Sequence, residues 1–277
     1  MSSKQNKCQI CNSTDTKILH TEIYDGDTYE YSICKKCSFV FQTNRYNKEK
    51  YLNLPCQFQK NYVQHSKNRG KYIYDFCRNH LGKDLKILDI GCYRGGVMKT
   101  IGKLTDSSNV YGCDVPFKEK PLKNTNIIFG DFDTIKFDDK YDFIVMSHIL
   151  EHFLNLRKSL KKIKKLMHKH SITYIEVPNL NYLKVRLSFE YSPEHISYFT
   201  VDSLKNLLLS EGFEILKIKE SKYWGNLKFL IKKGNSKIKV PIETKNYKVY
   251  GIEKFIIKST HWFYRFCLKN FNISAND

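Results

Sequence analysis

From Leu85 to Lys233 the chain alternates between short apolar runs of strand length and segments with helical spacing, and no other feature restricts its fold as much. "LKILDIG", "NVYGCDV", "NIIFGDF", "KYDFIVMSH" and "SITYIEVPN" read as five strands. Between and after them, "GGVMKTIGKL", "RKSLKKIKKLMHKH" and "TVDSLKNLLLSEG" read as helices. In the second helix Leu160, Ile163, Leu166 and Met167 face inward and the lysines outward as a solvated face. Thr200 or Asp202 would cap the third, and Gly212 would end it. "FEILKIKES" and "GNLKFLIKK" follow with only a short turn between them, as an antiparallel pair would. Strands alternating with helices predict a parallel sheet covered on both faces, because a parallel crossover needs a helix-length connection. Such sheets bind ligands beyond the carboxyl ends of their strands. The positions of interest are therefore Asp89 to Gly96, Asp114, Gly130 to Phe132, and Ser147 to His152.

The first of these, "LDIGCYRGGV", carries Gly91, Gly95 and Gly96 but places Tyr93 where a dinucleotide-binding turn has its middle glycine. That glycine lets the backbone close on a pyrophosphate. Asp114 follows Gly91 by 23 positions, a distance at which a carboxylate meets a ribose. A ligand with a ribose and an adenine but no phosphate, such as S-adenosylmethionine, satisfies both observations. A nicotinamide-dependent oxidoreductase fits less well.

Four of the nine cysteines form two pairs, Cys8-x-x-Cys11 and Cys34-x-x-Cys37, 22 residues apart. A two-residue gap lets both thiolates of a pair reach one metal, and two pairs supply a closed tetrahedral set. "TKILHTEIY" and "TYEYSIC", joined by "DGD", read as a hairpin carrying the second pair back over the first. Structural zinc is expected, with two disulfides or chance spacing as the alternatives; disulfides suit a cytosolic chain poorly. Cys56, Cys77, Cys92, Cys113 and Cys267 read as packing residues. The expected organisation is a zinc ribbon over 1–43, a helical linker over 44–82, a cofactor-binding domain over 83–234 and an extension over 235–277.

The formal net charge of +19 points toward nucleic acid, but only seven of the 47 basic residues are Arg, the side chain best suited to base and phosphate recognition. The lysines are spread along the chain and read as a soluble surface. No apolar run reaches the roughly 20 residues that span a bilayer, and the polar N-terminus lacks a secretory signal, so a cytoplasmic protein is expected. In the tail, Ile252, Phe255, Ile256, Phe263 and Phe266 share one helical face with basic residues elsewhere. Residues 251–270 would either pack on their own domain or lie on an anionic membrane surface.

In order along the chain, "ILDIGCYRGG", "VYGCDV", "FGDFD", "YDFIVMSHILEHF" and "LKKIKKLMHKHSITYIEVPN" resemble the motifs of the class I S-adenosylmethionine-dependent methyltransferases. "HKHS" stands in place of that family's Pro-Gly-Gly turn. The cysteine pairs, the absent middle glycine and "SPEHISYFT" are similar to a subgroup with an N-terminal zinc ribbon. This subgroup includes sugar C-methyltransferases and polysaccharide-pathway relatives. The resemblance implies a Rossmann-like, mostly parallel α/β sheet with its last strand antiparallel. It implies S-adenosylmethionine bound by Asp89, Gly91, Tyr93, Gly95, Asp114, Asp131, Phe132, Ser147 and His148, with Asp131 and Phe132 against adenine. It implies zinc on the four cysteines and a sugar or glycan-intermediate acceptor. His195 becomes the candidate general base, Glu194 its partner or a sugar-hydroxyl acceptor, and Tyr198 a wall of the acceptor pocket. Glu151 and His152 read as opening a helix after the fourth strand, where a carboxylate suits the dipole. The sugar C-methyltransferases are longer, whereas about 43 residues follow Gly234 here, so O-methylation is expected ahead of C-methylation. The alternatives are an RNA methyltransferase that uses the ribbon and basic surface, and a non-catalytic zinc-ribbon binding module.

Overall fold

The computed structural model describes residues 7–24, 26–44, 61–181, 194–220 and 225–235. The tail with its apolar face at 252–266, and both Cys56 and Cys267, lie outside the described residues. No helix among the described residues is long and apolar enough to cross a membrane.

Seven strands form the main sheet: β4 (Ile87–Ile90), β5 (Val110–Asp114), β6 (Asn126–Phe129), β7 (Tyr141–Ser147), β8 (Met167–Pro178), β10 (Phe213–Glu220) and β11 (Asn226–Lys233). They lie in the order β10-β11-β8-β7-β4-β5-β6. The five strands from β8 to β6 are parallel; β11 runs antiparallel to both β8 and β10, as the short turn between the last two strands predicts. All four residues of β4 are buried, as in a parallel strand covered on both faces.

Among the described residues, two helices lie on each face. α1 (Tyr62–Cys77) and α2 (Gly96–Leu104) pack Ile73, Phe76 and Ile101 against Ile87, Phe143, Val145 and Tyr174. α3 (Leu156–Leu166) and α4 (Val201–Ser210) pack Leu160, Ile163, Leu204 and Leu207 against Leu88, Ile144, Met146 and Ile175. α1 approaches α2 at Gly70, where a Cβ would stand 2.7 Å from Thr100 Cβ. α4 begins at the Thr200 cap, whose hydroxyl accepts from the Ser203 N–H while the Ser203 hydroxyl accepts from the Thr200 N–H. α3 is shorter than its lysine-rich sequence predicts. It ends at Leu166, and β8 starts at once, because Met167 pairs with Tyr141 and the Ser171 hydroxyl donates to the Tyr141 carbonyl.

A second, antiparallel sheet is built from β1 (Thr16–Tyr24), β2 (Asp27–Cys34), β3 (Val40–Gln42) and β9 (Ser197–Tyr198). β9 is contributed from far along the chain, with Val40 opposite Tyr198 and Phe41 opposite Ser197. Ile10, Phe39 and Phe41 join the core under α3 and α4. The N-terminal unit is thereby seated on the main sheet's second face.

Candidate active site

The strand order reverses around β4, with β5 on one side and β7 on the other. The turn after β4 therefore opens at the crevice where such sheets bind ligands. Gly91 has φ 74°, and a Cβ there would come within 2.9 Å of the Ile149 side chain. Tyr93 also adopts a left-handed conformation, φ 45°. Its ring leaves the turn to pack edge-on against Tyr62 of α1 and tilted against Phe117, each at 4.9 Å. The turn thus accommodates a bulky centre because α1 supplies an aromatic partner. Gly95, φ 83°, is the N-cap of α2.

Asp114 ends β5 and holds this turn. Its Oδ2 accepts the Tyr93 N–H at 2.5 Å and its Oδ1 the Val115 N–H at 2.7 Å. Burial pushes its carboxyl above the usual range, against the pull of those two N–H groups. Asp89 is 3% exposed, and its Oδ2 has no hydrogen bond among the described residues. Burial first, and then Asp114, push it up to about 8, although the Met98 N–H and Arg69 oppose the shift.

Gly91, Asp114, Gly130, Asp131 and Phe132 line one pocket together with Ile149, His152, Phe153 and Ile196, whereas His195 is not among its lining residues. The Phe132 ring stacks on Phe153 at 5.5 Å, and the Lys162 ammonium lies 4.8 Å from its centre while donating to the Phe132 and Ile135 carbonyls. Lys162 belongs to the run that reads as solvated in the sequence; here it binds the loop that follows β6. Asp131 Oδ1 accepts the Asp133 N–H at 3.0 Å and shapes the same loop.

Ser147 and His148 meet a polar network at the ends of β7, β8 and β11. The Ser147 hydroxyl donates to Glu176 Oε2 at 3.2 Å and accepts from Arg69. Asn226 donates to Glu176 Oε1 and lies 3.2 Å from His148 Nε2. His148, in a left-handed conformation with φ 55°, turns Nδ1 to within 3.4 Å of Glu151 Oε1. Glu151 is 1% exposed. Burial favours its neutral form, but His148, His152 and His195 together outweigh it and bring the carboxyl down to about 2.

Glu194 and His195 lie against this cluster. The Glu194 carbonyl accepts from His152 Nδ1 at 2.9 Å, and the Glu151 carbonyl accepts the Ile196 N–H at 2.9 Å. The His195 ring stands 4.9 Å from His152 and 5.9 Å from Tyr198. Burial, helped by His152 and His148, holds His195 down to about 4 against the attraction of Glu151. Tyr198 is 4% exposed and packs edge-on against Tyr31 of β2 at 5.6 Å, so its ring anchors the segment to the ribbon.

The four paired cysteines converge. Cys8 and Cys37 Sγ are 3.5 Å apart, Cys11 and Cys34 Sγ 3.4 Å, and all four sulfurs lie within 4.8 Å of one another. All are free thiols. Tetrahedral zinc with Zn–S bonds of about 2.3 Å sets sulfurs about 3.8 Å apart, so the set fits that ion. The two turns match: the residue after each second cysteine, Asn12 or Ser38, is left-handed and donates its N–H to the carbonyl of the first cysteine. The first turn is clamped to the start of α3. Gln9 Oε1 accepts the Leu156 N–H, and Arg157 donates to the Gln9 and Ile10 carbonyls and pairs with Glu211.

Arg69, Glu176 and Asn226, which carry the polar network, have no local signature and lie on α1, β8 and β11. Glu151 sits in a 3₁₀ turn over Leu150–His152 rather than at the start of a long helix. The returning segment, residues 194–196, is fastened over it by the Ile196 N–H on its carbonyl.

The model of a protein family described as a methyltransferase domain matches residues 29–218. Among curated proteins, (S)-coclaurine N-methyltransferase of Thalictrum flavum subsp. glaucum is 27% identical over 100 residues, 32% of this chain and 28% of that protein. (S)-tetrahydroprotoberberine N-methyltransferase of Eschscholzia californica is 26% identical over 100 residues, 32% of this chain and 29% of that protein. The match thus spans less than a third of these relatives' length. Among solved structures, a chain from the complex between the Haloferax volcanii Trm112 methyltransferase activator and a methyltransferase superposes with a TM-score of 0.51 at 10% identity, over 63% of this chain and 95% of that one. The plantazolicin methyltransferase BpumL, solved with a pentazolic desmethylPZN analog and SAH, gives 0.51 at 17% identity, over 64% of this chain and 87% of that one. At such identities the likeness is one of fold.

Proposed function

The chain belongs to the methyltransferase-domain family, and from that premise we propose that it transfers a methyl group from S-adenosylmethionine to a small hydroxylated acceptor of the sugar class. One observation carries the reading: Gly91, Asp114, Asp131 and Phe132 converge on a single pocket that His152 and Ile196 also line, with the His195 ring 4.9 Å from that of His152. The pocket suits the cofactor. Gly91 permits a left-handed turn packed against Ile149 that a Cβ would displace, Asp114 is a fixed carboxylate able to take ribose hydroxyls, and Asp89 keeps a buried oxygen without a hydrogen bond among the described residues. When bound, S-adenosylmethionine supplies a methyl carbon activated by its sulfonium.

The chain's own residues align the acceptor and receive its proton. Alignment gives the larger part of the rate, and a placed base adds roughly 10²–10⁴-fold. His195, neutral at working pH, is the base, and the imidazolium it becomes is stabilised by the Glu151 carboxylate. Glu194 orients His152 through its carbonyl, and Tyr198 anchors the segment to the ribbon. Ser147, His148, Glu176 and Asn226 offer the donors and acceptors that a polyhydroxylated molecule requires. Cys8, Cys11, Cys34 and Cys37 hold a structural zinc that braces β3 and, through it, β9. An amine acceptor is the second reading, supported by the names of the curated relatives. Transfer of labelled methyl to separate pools of nucleotide-sugars with glycans, small amines, and RNA tests the proposal. Label in the sugar pool is expected; label in amines selects the second reading, and label in RNA overturns both.

A further inference from the structure

Glu151 poses a problem that the base mechanism leaves unsolved. It is 1% exposed, its Oε1 has only the long 3.4 Å approach of His148 Nδ1, and its Oε2 receives no hydrogen bond among the described residues. A buried carboxylate is costly unless it is fully paired or coordinates a metal, and one long contact leaves Oε2 without a partner among the described residues. Around it, one ligand atom each from Glu151, His152 and His195 lie within 4.8 Å of one another. A tetrahedral ion with bonds of about 2.0–2.1 Å sets its ligand atoms about 3.3 Å apart, so the three groups stand within about 1.5 Å of a ligating arrangement.

The supporting contacts are those of a metal site. A carbonyl only accepts, so His152 donates to Glu194 through Nδ1 and carries its lone pair on Nε2. A metal-ligating histidine is commonly held by such a bond, which sets its tautomer. The Ile196 N–H to Glu151 carbonyl bond fastens the two ligand-bearing segments together. His152 also lines the pocket, so an ion here would border it.

We infer that Glu151, His152 and His195 bind a divalent first-row cation of the zinc type, with its fourth position open toward the pocket. The set of two imidazoles and one carboxylate, with one position open, matches catalytic zinc rather than the closed four-thiolate kind. The inference rests on the proposed methyl transfer for its purpose. An acceptor hydroxyl in the open position loses its proton to water and keeps the electron pair on oxygen. That oxygen bonds to the methyl carbon as the carbon–sulfur bond breaks and leaves its pair on sulfur. The His195 lone pair serves the ion when it is bound and the proton when it is not.

Metal content of the full chain, equilibrated with zinc and freed of loose ion, tests this. Two ions per chain are expected, falling to one in Glu151→Gln and in His195→Ala. With cobalt in place of zinc, intense thiolate charge-transfer bands from the cysteine site persist in both variants, while weaker nitrogen–oxygen ligand-field bands disappear. A wild-type chain with one ion and thiolate bands only overturns the site, as do variants that keep two. Calorimetry with S-adenosylhomocysteine separates the two ideas and shows that the variants fold. A chain that binds it but holds one ion loses the cation site alone. A chain that holds two ions but does not bind it keeps the site and loses the methyltransferase reading.

Discussion

Asp89→Asn removes one ionisable group from the floor of the cofactor turn while keeping its shape and the acceptor for the Met98 N–H. Asp89 has its pKa raised to about 8 in the folded chain, so the folded state keeps a proton that the unfolded chain releases near pH 4. Between those values the unfolded state binds fewer protons, and stability falls as pH rises. The slope is about 1.4 kcal/mol per unit, on the order of 5 kcal/mol over the whole window. The variant should therefore match the wild type near pH 4, exceed it by several kcal/mol at pH 8, and show a shallower slope between; Asp114, also raised, leaves a smaller slope of the same sign. Cofactor binding should read the same group in reverse. A ligand with cationic groups favours the Asp89 anion, so binding below pH 8 should release a proton from the wild type and none from the variant. Urea denaturation at pH 5 and pH 8, with calorimetry in buffers of different ionisation enthalpy, measures both effects. Parallel stability curves for the two proteins from pH 5 to pH 8 would refute the reasoning.

Gly91→Ala places a Cβ at φ 74° and within 2.9 Å of Ile149; thermal melts should show a loss of roughly 1–3 kcal/mol, and titration a cofactor affinity at least tenfold weaker. His195→Ala should lower turnover by about 10²–10⁴-fold while cofactor affinity, read by calorimetry, stays within twofold. Removing zinc with a chelator, or introducing Cys37→Ser, should loosen β3 and with it β9; hydrogen exchange should rise first at Ile196 to Phe199, with turnover falling in parallel. Lys162→Met should keep the apolar stem over Phe132 but lose both carbonyl contacts, weakening cofactor binding more than it lowers the melting temperature.

The alternation of strands and helices was legible because parallel strands buried on both faces read as unbroken apolar runs, and Asp89, Asp114 and the glycines stand at the ends of those runs. The antiparallel last pair was legible from the shortness of its turn. Less could be read where the deciding contact is distant in sequence. Tyr93 looks like a defect in a glycine-rich turn until Tyr62 and Phe117 are seen on either side of its ring. β9 is two residues long, and its pairing with β3 has no periodicity to announce it. The lysine-rich α3 shows the limit of periodicity: Lys162 and Lys164 fall on its polar side yet reach back to cap the carbonyls of Phe132 and Gly212. Arg69, Glu176 and Asn226 come from three separate elements, and only the fold places them beside Ser147 and His148.

The central claim is that the crevice after β4 is a binding site for S-adenosylmethionine, its turn held by Asp114 and permitted by Gly91. Calorimetric titration of the full chain with S-adenosylhomocysteine, beside Asp114→Ala, tests it most directly. Saturable binding of one molecule per chain, lost or weakened more than tenfold in the variant, is the predicted result. No binding, or equal binding by the variant, would contradict the account.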